Sequence, residues 1–311
     1  MSRRSRRIIG GAAATLLLAL ALLLANSAAC PLPAPEPYPG PLPAASPPAE
    51  MTVHQLPTGT THRSAAFAYR GGSPLDRRDF AMTALLVRHP RGDLLIDTGF
   101  GRDVDAHLRA MPWLFRAITR HERGSSVAEQ LDAAGYDRRR LRAIILTHAH
   151  WDHVSGLPEL AGTPLWIPAE ERRFIADGGA LTAVARGLGD LPIEELPFEE
   201  REYLGFPRSH DVYGDGAVVI VHAPGHTPGS VLVFLALPDG RRLALLGDLV
   251  WQLEGILERE ERPWLLHQLG DSDPAAVREQ ILRVAAIAAR FPEIVLVPAH
   301  DPRGFAGLPR L

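Results

Sequence analysis

Four side chains able to bind a divalent metal, His148, His150, Asp152 and His153, fall within six residues in the run Thr147-His-Ala-His-Trp-Asp-His153. Imidazole and carboxylate are the nitrogen and oxygen donors that suit zinc-type ions, and a site that performs chemistry keeps coordination positions open for water. The chemistry these residues imply is metal-assisted hydrolysis. The apolar run 141–146 precedes the motif and reads as a strand that delivers it. Residues two apart on an extended segment project to the same side, so His148 and His150 can reach one ion. Asp152 and His153, just past the strand end, can turn toward a second.

Three later segments offer further donors, each beside an apolar run: His226 in Pro-Gly-His-Thr-Pro-Gly (224–229), Asp248 in Leu-Leu-Gly-Asp (245–248) and His300 in Val-Pro-Ala-His (297–300). Their order and intervals, 73 residues from His153 to His226, then 22 and 52, resemble the metallo-β-lactamase-fold hydrolase superfamily, in its two-metal branch with a bridging aspartate. The resemblance spans about 85–300. It implies an α/β fold, a four-layer αββα sandwich, and a pair of divalent ions. One ion is then held by His148, His150 and His226, the other by Asp152, His153 and His300, with Asp248 shared. It also assigns Asp97, in the Asp-Thr-Gly turn of 94–99, to orienting a ligating loop without binding metal. Zinc fits such a donor set, as do iron, manganese and cobalt.

Within that superfamily the chain looks most similar to the quorum-quenching lactonases and the secreted organophosphate hydrolases. The implied reaction is attack of a metal-activated hydroxide on an ester or lactone, a small-molecule substrate, with Asp152 or Asp248 passing the proton to the leaving group. Phosphoester or phosphotriester hydrolysis is the alternative, and a non-catalytic metal-binding envelope lipoprotein is the reading from another class. One departure stands out. Many such lactonases carry a tyrosine three residues after the bridging aspartate, and here that position is Trp251, whose indole N–H has a different reach. Trp113 and Phe115, in the aromatic-bearing segment 108–118, are candidates for lining the substrate cleft, as is the segment 198–206. His222, four residues before His226, is a candidate for orienting a ligand. His54, His62, His89, His107, His121, His210 and His267 have no motif around them and read as surface or hydrogen-bonded residues.

The elements that must position these residues are visible as short β-rich runs at 83–87, 94–97, 143–147, 217–222, 231–236, 242–246 and 294–298. Ser126 and Glu129 form a capping box ahead of a helix over 127–134 that Gly135 ends. Asp273 followed by Pro274 predicts an N-cap and first turn, opening a long helix with Val277, Ile281, Val284 and Ile287 on one buried stripe.

The chain of 311 residues is 46% hydrophobic, ample for a packed core, and carries a formal net charge of −3. Its basic residues are all arginine, and no basic field points to nucleic acid as a partner. Residues 1–30 read as an export signal: Arg3, Arg4, Arg6 and Arg7, an uncharged apolar run over 8–25, small residues, then Cys30, the only cysteine. The arginine pair before that run also resembles a twin-arginine signal. Cys30 is read as the site of a lipid that attaches the protein to a membrane of the cell envelope. Cleavage without lipid, or retention of the run as an N-terminal membrane anchor, are the other two readings. Residues 31–50 are a Pro-rich stretch, nine prolines falling in 31–48, expected to act as a semi-rigid tether. The hydrolase domain is expected over 51–311.

Overall fold

The computed structural model describes residue 21 and residues 25–311, so most of the expected export signal lies outside the described residues. Among the described residues, twelve strands form two sheets. The first contains β1 (Thr52–Ser64), β2 (Arg77–Arg88), β3 (Asp93–Ile96), β4 (His121–Arg123), β5 (Leu141–Ile145), β6 (Leu165–Ile167) and β7 (Ile193–Glu195), in the order β4-β1-β2-β3-β5-β6-β7. The second contains β8 (Ser209–Asp211), β9 (Val218–His222), β10 (Val231–Ala236), β11 (Arg242–Gly247) and β12 (Ile294–Pro298), in the order β12-β11-β10-β9-β8.

The two-residue period of the strands divides their side chains between layers. Val218 and Ile220 of β9, and Val231, Val233 and Leu235 of β10, face the first sheet and pack with Leu85, Val87, Leu94, Ile96, Ala143 and Ile145. The alternate residues Val219, Val221, Leu232 and Phe234 face outward onto the helix Pro274–Arg290, meeting Val277, Ile281, Val284 and Ile287. On the outer face of the first sheet, Leu86, Leu95 and Ile144 pack with Val127 and Leu131 of the helix Val127–Ala133. The result is the expected four-layer αββα sandwich, with both sheets buried on two faces by continuous apolar runs.

Both predicted caps are made. Ser126 and Glu129 exchange the two bonds of a capping box, and Asp273 accepts from the backbone N–H groups of Ala275 and Ala276. The N-terminal strand β1 was not evident in the sequence because Thr, His, Gln, Pro and Gly interrupt its pattern; a register shift between Pro57 and Gly59 absorbs the mismatch against β2.

The Pro-rich stretch does not stand away from the body. Leu32, Tyr38 and Leu42 pack against the outer layer of the second sheet, and the Tyr38 ring meets Phe291 edge-on at 6.0 Å. Leu32 and Ser46 donate backbone N–H groups to the carbonyls of Arg259 (2.8 Å) and Asp215 (2.7 Å). Proline fixes φ in an extended form that suits a strap laid along a surface as well as a spacer.

The turn after β3 shows how tightly the site is set. Asp97 and Gly99 are both left-handed, with φ of 57° and 56°. A Cβ on Gly99 would run into the Thr58 hydroxyl, which donates to the Met82 carbonyl (2.7 Å) and accepts from the Phe100 N–H (2.8 Å). Gly99→Ala is therefore expected to destabilise by at least about 1 kcal/mol, through the strained φ and the displaced hydroxyl. Thermal unfolding checks this; an unchanged Tm would mean that the turn relaxes freely.

Candidate metal centre

The loops that carry the candidate ligands leave their strands at one edge of the molecule. β3 and β5 are parallel, as are β11 and β12. β9 and β11 both run antiparallel to β10, so they share a direction. Val231, at the start of β10, donates its N–H to the Thr147 carbonyl (2.9 Å) and joins the two sheets at this edge. Asp97, the 147–153 motif, His226, Asp248 and His300 all follow the ends of these strands.

The structure brings all seven candidate ligands together. His148, His150 and His226 offer ligand atoms within 4.8 Å of one another; so do Asp152, His153 and His300, and a third group joins His148, His153 and Asp248. Asp248 lies between the two triads. Oδ1 is 3.3 Å from His153 Nε2 and 3.1 Å from His300 Nε2, while Oδ2 is 3.7 Å from His226 Nε2 and 3.9 Å from His148 Nε2. Oδ2 also stands 3.3 Å from His300 Nε2. His300 Nε2 also stands 3.5 Å from the Asp152 carboxylate, and His226 Nε2 stands 2.9 Å from His150 Nδ1.

These donors fit divalent cations. The Nε2 atoms of His148 and His153 and Oδ1 of Asp248 are buried with no hydrogen-bond partner, although all three face the same small space. Buried polar atoms are costly without partners, and three of them converging is what a cation site requires. Burial and the neighbouring imidazoles hold His148 and His150 far below the usual histidine range, in the neutral form that has a lone pair to give. Burial opposes charge on Asp248 too, but His300 and His153 outweigh it and keep the carboxyl well below its usual range. Burial also lowers His153, yet Asp97 and Asp248 prevail and hold its proton. Asp97 Oδ2, 2.8 Å from Nδ1, fixes the ring so that Nε2 is directed at Asp248.

Asp97 does more than orient His153. Its carboxylate also accepts the backbone N–H and the hydroxyl of Thr147, both at 2.8 Å, and so fixes the start of the ligand loop. Two further carboxylates, not anticipated from the sequence, support the other triad. Asp271 accepts from His226 Nδ1 (2.6 Å), from Arg262 and from His267. Arg262 in turn donates to the carbonyls of Asp248 and Leu249 and lies 4.7 Å over the Trp251 ring. Glu171 is fully buried and ties the two loops of the first triad, accepting from Ala149 N–H (2.6 Å), the Thr227 hydroxyl (2.7 Å) and Gly229 N–H (3.0 Å). Burial pushes its carboxyl up to about 7 against those donors.

Other expected positions fall differently. The ring nitrogens of His222 meet Arg208 (3.3 Å) and the Pro228 carbonyl (3.1 Å), not a ligand; Asp271 has the orienting role expected of it. His267, expected to be a surface or hydrogen-bonded histidine, is buried and bonded between Asp271 and Glu261. Helical spacing of four links His267 to Asp271, but 41 residues separate His267 from His226, so local pattern carried no hint of the connection. Trp251 donates its indole N–H to Asp248 Oδ2 (2.9 Å) and stacks on Phe67 at 5.1 Å. Phe115 meets Trp151, inside the motif, edge-on at 5.8 Å, whereas Trp113 stands 70% exposed.

Comparison with known proteins agrees with this geometry. Residues 77–300 match the metallo-beta-lactamase superfamily. A probable metallo-hydrolase of Mycobacterium tuberculosis is 30% identical over 233 residues, covering 70% of this chain and 74% of that protein. The N-acyl homoserine lactonase AttM of Rhizobium radiobacter is 24% identical over 231 residues, covering 71% and 82%. Among solved structures, an N-acyl homoserine lactone hydrolase with N-hexanoyl-L-homoserine at its catalytic metal center superposes with a TM-score of 0.66 at 16% identity, over 83% of this chain and 96% of that one. AidC, a dizinc quorum-quenching lactonase, gives a TM-score of 0.55 at 18% identity, over 82% and 88%.

Two measurements test the centre. Chelation should lower the Tm and added zinc should restore it, because removing cations strands buried donors; a Tm insensitive to both would show that nothing binds there. Asp271→Asn should weaken metal affinity about 10- to 100-fold, the usual cost of losing the carboxylate behind a ligating imidazole. Occupancy after dialysis against graded chelator reads this, and wild-type retention would remove Asp271 from the role.

Proposed function

The chain belongs to the metallo-beta-lactamase superfamily, and from that premise we propose that this metallo-hydrolase opens an ester or lactone at a two-metal centre. The observation that carries the reading is the placement of the Asp248 carboxylate between the two histidine groups, within 4 Å of an imidazole nitrogen from each. When bound, a pair of divalent ions supplies a nucleophile at neutral pH by acidifying water, and polarises the carbonyl under attack. The protein's own part is to hold that geometry and move one proton. Asp97, Asp271 and Glu171 keep the ligands aimed, and Asp152 or Asp248 carries the proton to the departing alkoxide.

The lactone class draws support from relatives named as N-acyl homoserine lactonases. The wall beside the centre also suits an acyl chain. Phe67, Phe80 and Trp251 form a cluster with centroids 5.1–6.1 Å apart, and Phe80 reaches the His300 ring at 6.0 Å. Trp251 spends its only donor on Asp248, so it steadies the shared ligand in place of gripping a substrate carbonyl.

One observation favours the phosphoester alternative. Arg63 lies 4.7 Å over Phe67, donates to Thr119, and feels the charge of Asp152, which puts a guanidinium near the centre where an anionic group could meet it. We also read the protein as exported and held at the cell envelope through a lipid on Cys30, a reading that rests on the sequence before Cys30 and on the exposure of Cys30 itself.

A panel of lactones, p-nitrophenyl esters and phosphoesters, with Asp152→Ala as control, separates these readings. Lactone or ester cleavage that Asp152→Ala abolishes is the expected result, and phosphoester cleavage alone would overturn it. Trp251→Phe should lower kcat about tenfold or more with little change in KM, since a hydrogen bond to a charged group contributes ~1.5–3 kcal/mol. An unchanged kcat would show that the indole is only packing.

A further inference from the structure

Soluble folds scatter large apolar side chains singly over their surfaces, and a cluster of them marks something that covers it. Seven such side chains are exposed among the described residues: Leu75, Trp113, Leu257, Trp264, Leu265, Leu269 and Val295. Five of the seven, Leu75, Leu257, Trp264, Leu265 and Leu269, belong to two neighbouring segments. Trp264, Leu265 and Leu269 lie on the short helix Trp264–Gly270, where they are 56%, 51% and 64% exposed. Leu257, 65% exposed, closes the preceding helix Glu254–Leu257, and Leu75, 90% exposed, tops the loop that follows Gly71.

These two segments hold the start of the described chain. Asn26 Oδ1 accepts the Leu265 N–H (2.7 Å), the Ser27 carbonyl accepts the Gly71 N–H (2.7 Å), and the Ala28 carbonyl accepts from Arg70 Nε (2.9 Å). The Cys30 N–H reaches both oxygens of the buried Glu260 carboxylate, at 2.9 and 3.0 Å. Leu32 then exchanges bonds with Arg259. Residues 26–32 are thus fastened to the very segments that display the five apolar side chains.

What precedes Asn26 in the sequence is the uncharged apolar run of 8–25, with four arginines before it. Eighteen apolar residues are about the shortest run able to cross the hydrocarbon layer of a membrane. Cys30, with its lipid-type context, is fastened to the same place. An anchor formed by the run 8–25 would leave the body at Asn26, and a lipid on Cys30 would be held beside Glu260 and Arg259, so either attachment would fall next to these apolar side chains.

We propose that the exposed apolar side chains of these two linked segments, Leu257, Trp264, Leu265, Leu269 and Leu75, lie in the surface of a lipid bilayer. A tryptophan beside leucines on a short surface helix is suited to the boundary between headgroups and acyl chains. The flanking charges are of both signs, Arg70 and Arg259 against Glu254 and Glu258, so adhesion comes from apolar insertion and not from attraction to anionic lipid. The inner side of the same excursion carries Arg262, His267 and Asp271, the support of His226. The metal centre therefore sits behind the membrane-facing layer, close to where an amphiphilic substrate would partition. The proposal rests on the reading that the chain is attached to a membrane near Cys30, and not on which bond the enzyme cleaves.

The test uses the full-length chain in phosphatidylcholine vesicles that contain brominated phosphatidylcholine, a quencher of tryptophan within the acyl layer. Wild-type emission should be quenched, Trp264→Phe should lose at least half of that quenching, and Trp113→Phe should keep it. Quenching should also persist at high salt. Equal quenching of wild type and Trp264→Phe would overturn the proposal, as would loss of quenching in salt. So would no quenching at all, including the case in which Trp264 is shielded from aqueous quencher by a second copy of the chain. Leu265→Ser with Leu269→Ser gives an independent check: the far-ultraviolet circular dichroism should stay the same, and the Trp264 quenching should fall.

Discussion

The structure depends on one carboxylate. Asp248 is buried among four imidazoles, and a charge in that position survives only if cations or protonated neighbours compensate for the water it has lost. Everything around it follows from that demand. Its loop must leave β11 at the edge where β5, β9 and β12 also end, because no single loop could supply ligands on both sides of one carboxylate. The two-sheet sandwich meets the requirement by giving those four strands a common direction and by burying both sheets on two faces, which leaves their ends rigid. A catalytic constellation on strand ends is held more closely than one on free loops.

Much of this was legible in the sequence, and the reason is local chemistry. The seven candidate ligands are few residue types at compact motifs, each after an apolar run, so pattern alone could group them. The strands β9 and β10 were legible as apolar runs, but Val, Ile, Leu and Phe on both sides gave no sign of which face meets the other sheet. Capped helices showed themselves through Ser126, Glu129, Asp273 and Pro274. What escaped was whatever depends on long-range contact between residues of no special type. Asp271 and Glu171 are ordinary acids in helical or turn contexts, and only the fold reveals that one backs His226 while the other ties the loops at Ala149 and Gly229. β1 escaped because its long run of Thr, His and Gln lacks apolar alternation and owes its conformation to pairing with β2.

The Pro-rich stretch carries a second lesson of the same kind. Composition correctly excludes helix and sheet there, but it cannot say whether an extended chain is solvated or laid on a surface. Three apolar residues, Leu32, Tyr38 and Leu42, decide the matter, because they find the outer layer of the second sheet within reach. A spacer designed to keep a domain away from its anchor would need none of them.

That strap gives the segment 254–271 a position between two constraints. On its inner side, Arg262, His267 and Asp271 form a buried charged network whose members are costly to separate, since breaking one buried ion pair strands the other charge. On its outer side, residues 26–32 hold the backbone at Arg259 and the Glu260 carboxylate through direct bonds. A shift of this segment would have to disturb His226 and the N-terminal strap together. Its exposed leucines and Trp264 therefore cannot be turned inward by a local rearrangement: the inner positions are already filled by charged groups, and the backbone between is fixed from both sides. Apolar surface that the protein cannot bury on its own must either remain in water or find cover from outside the chain.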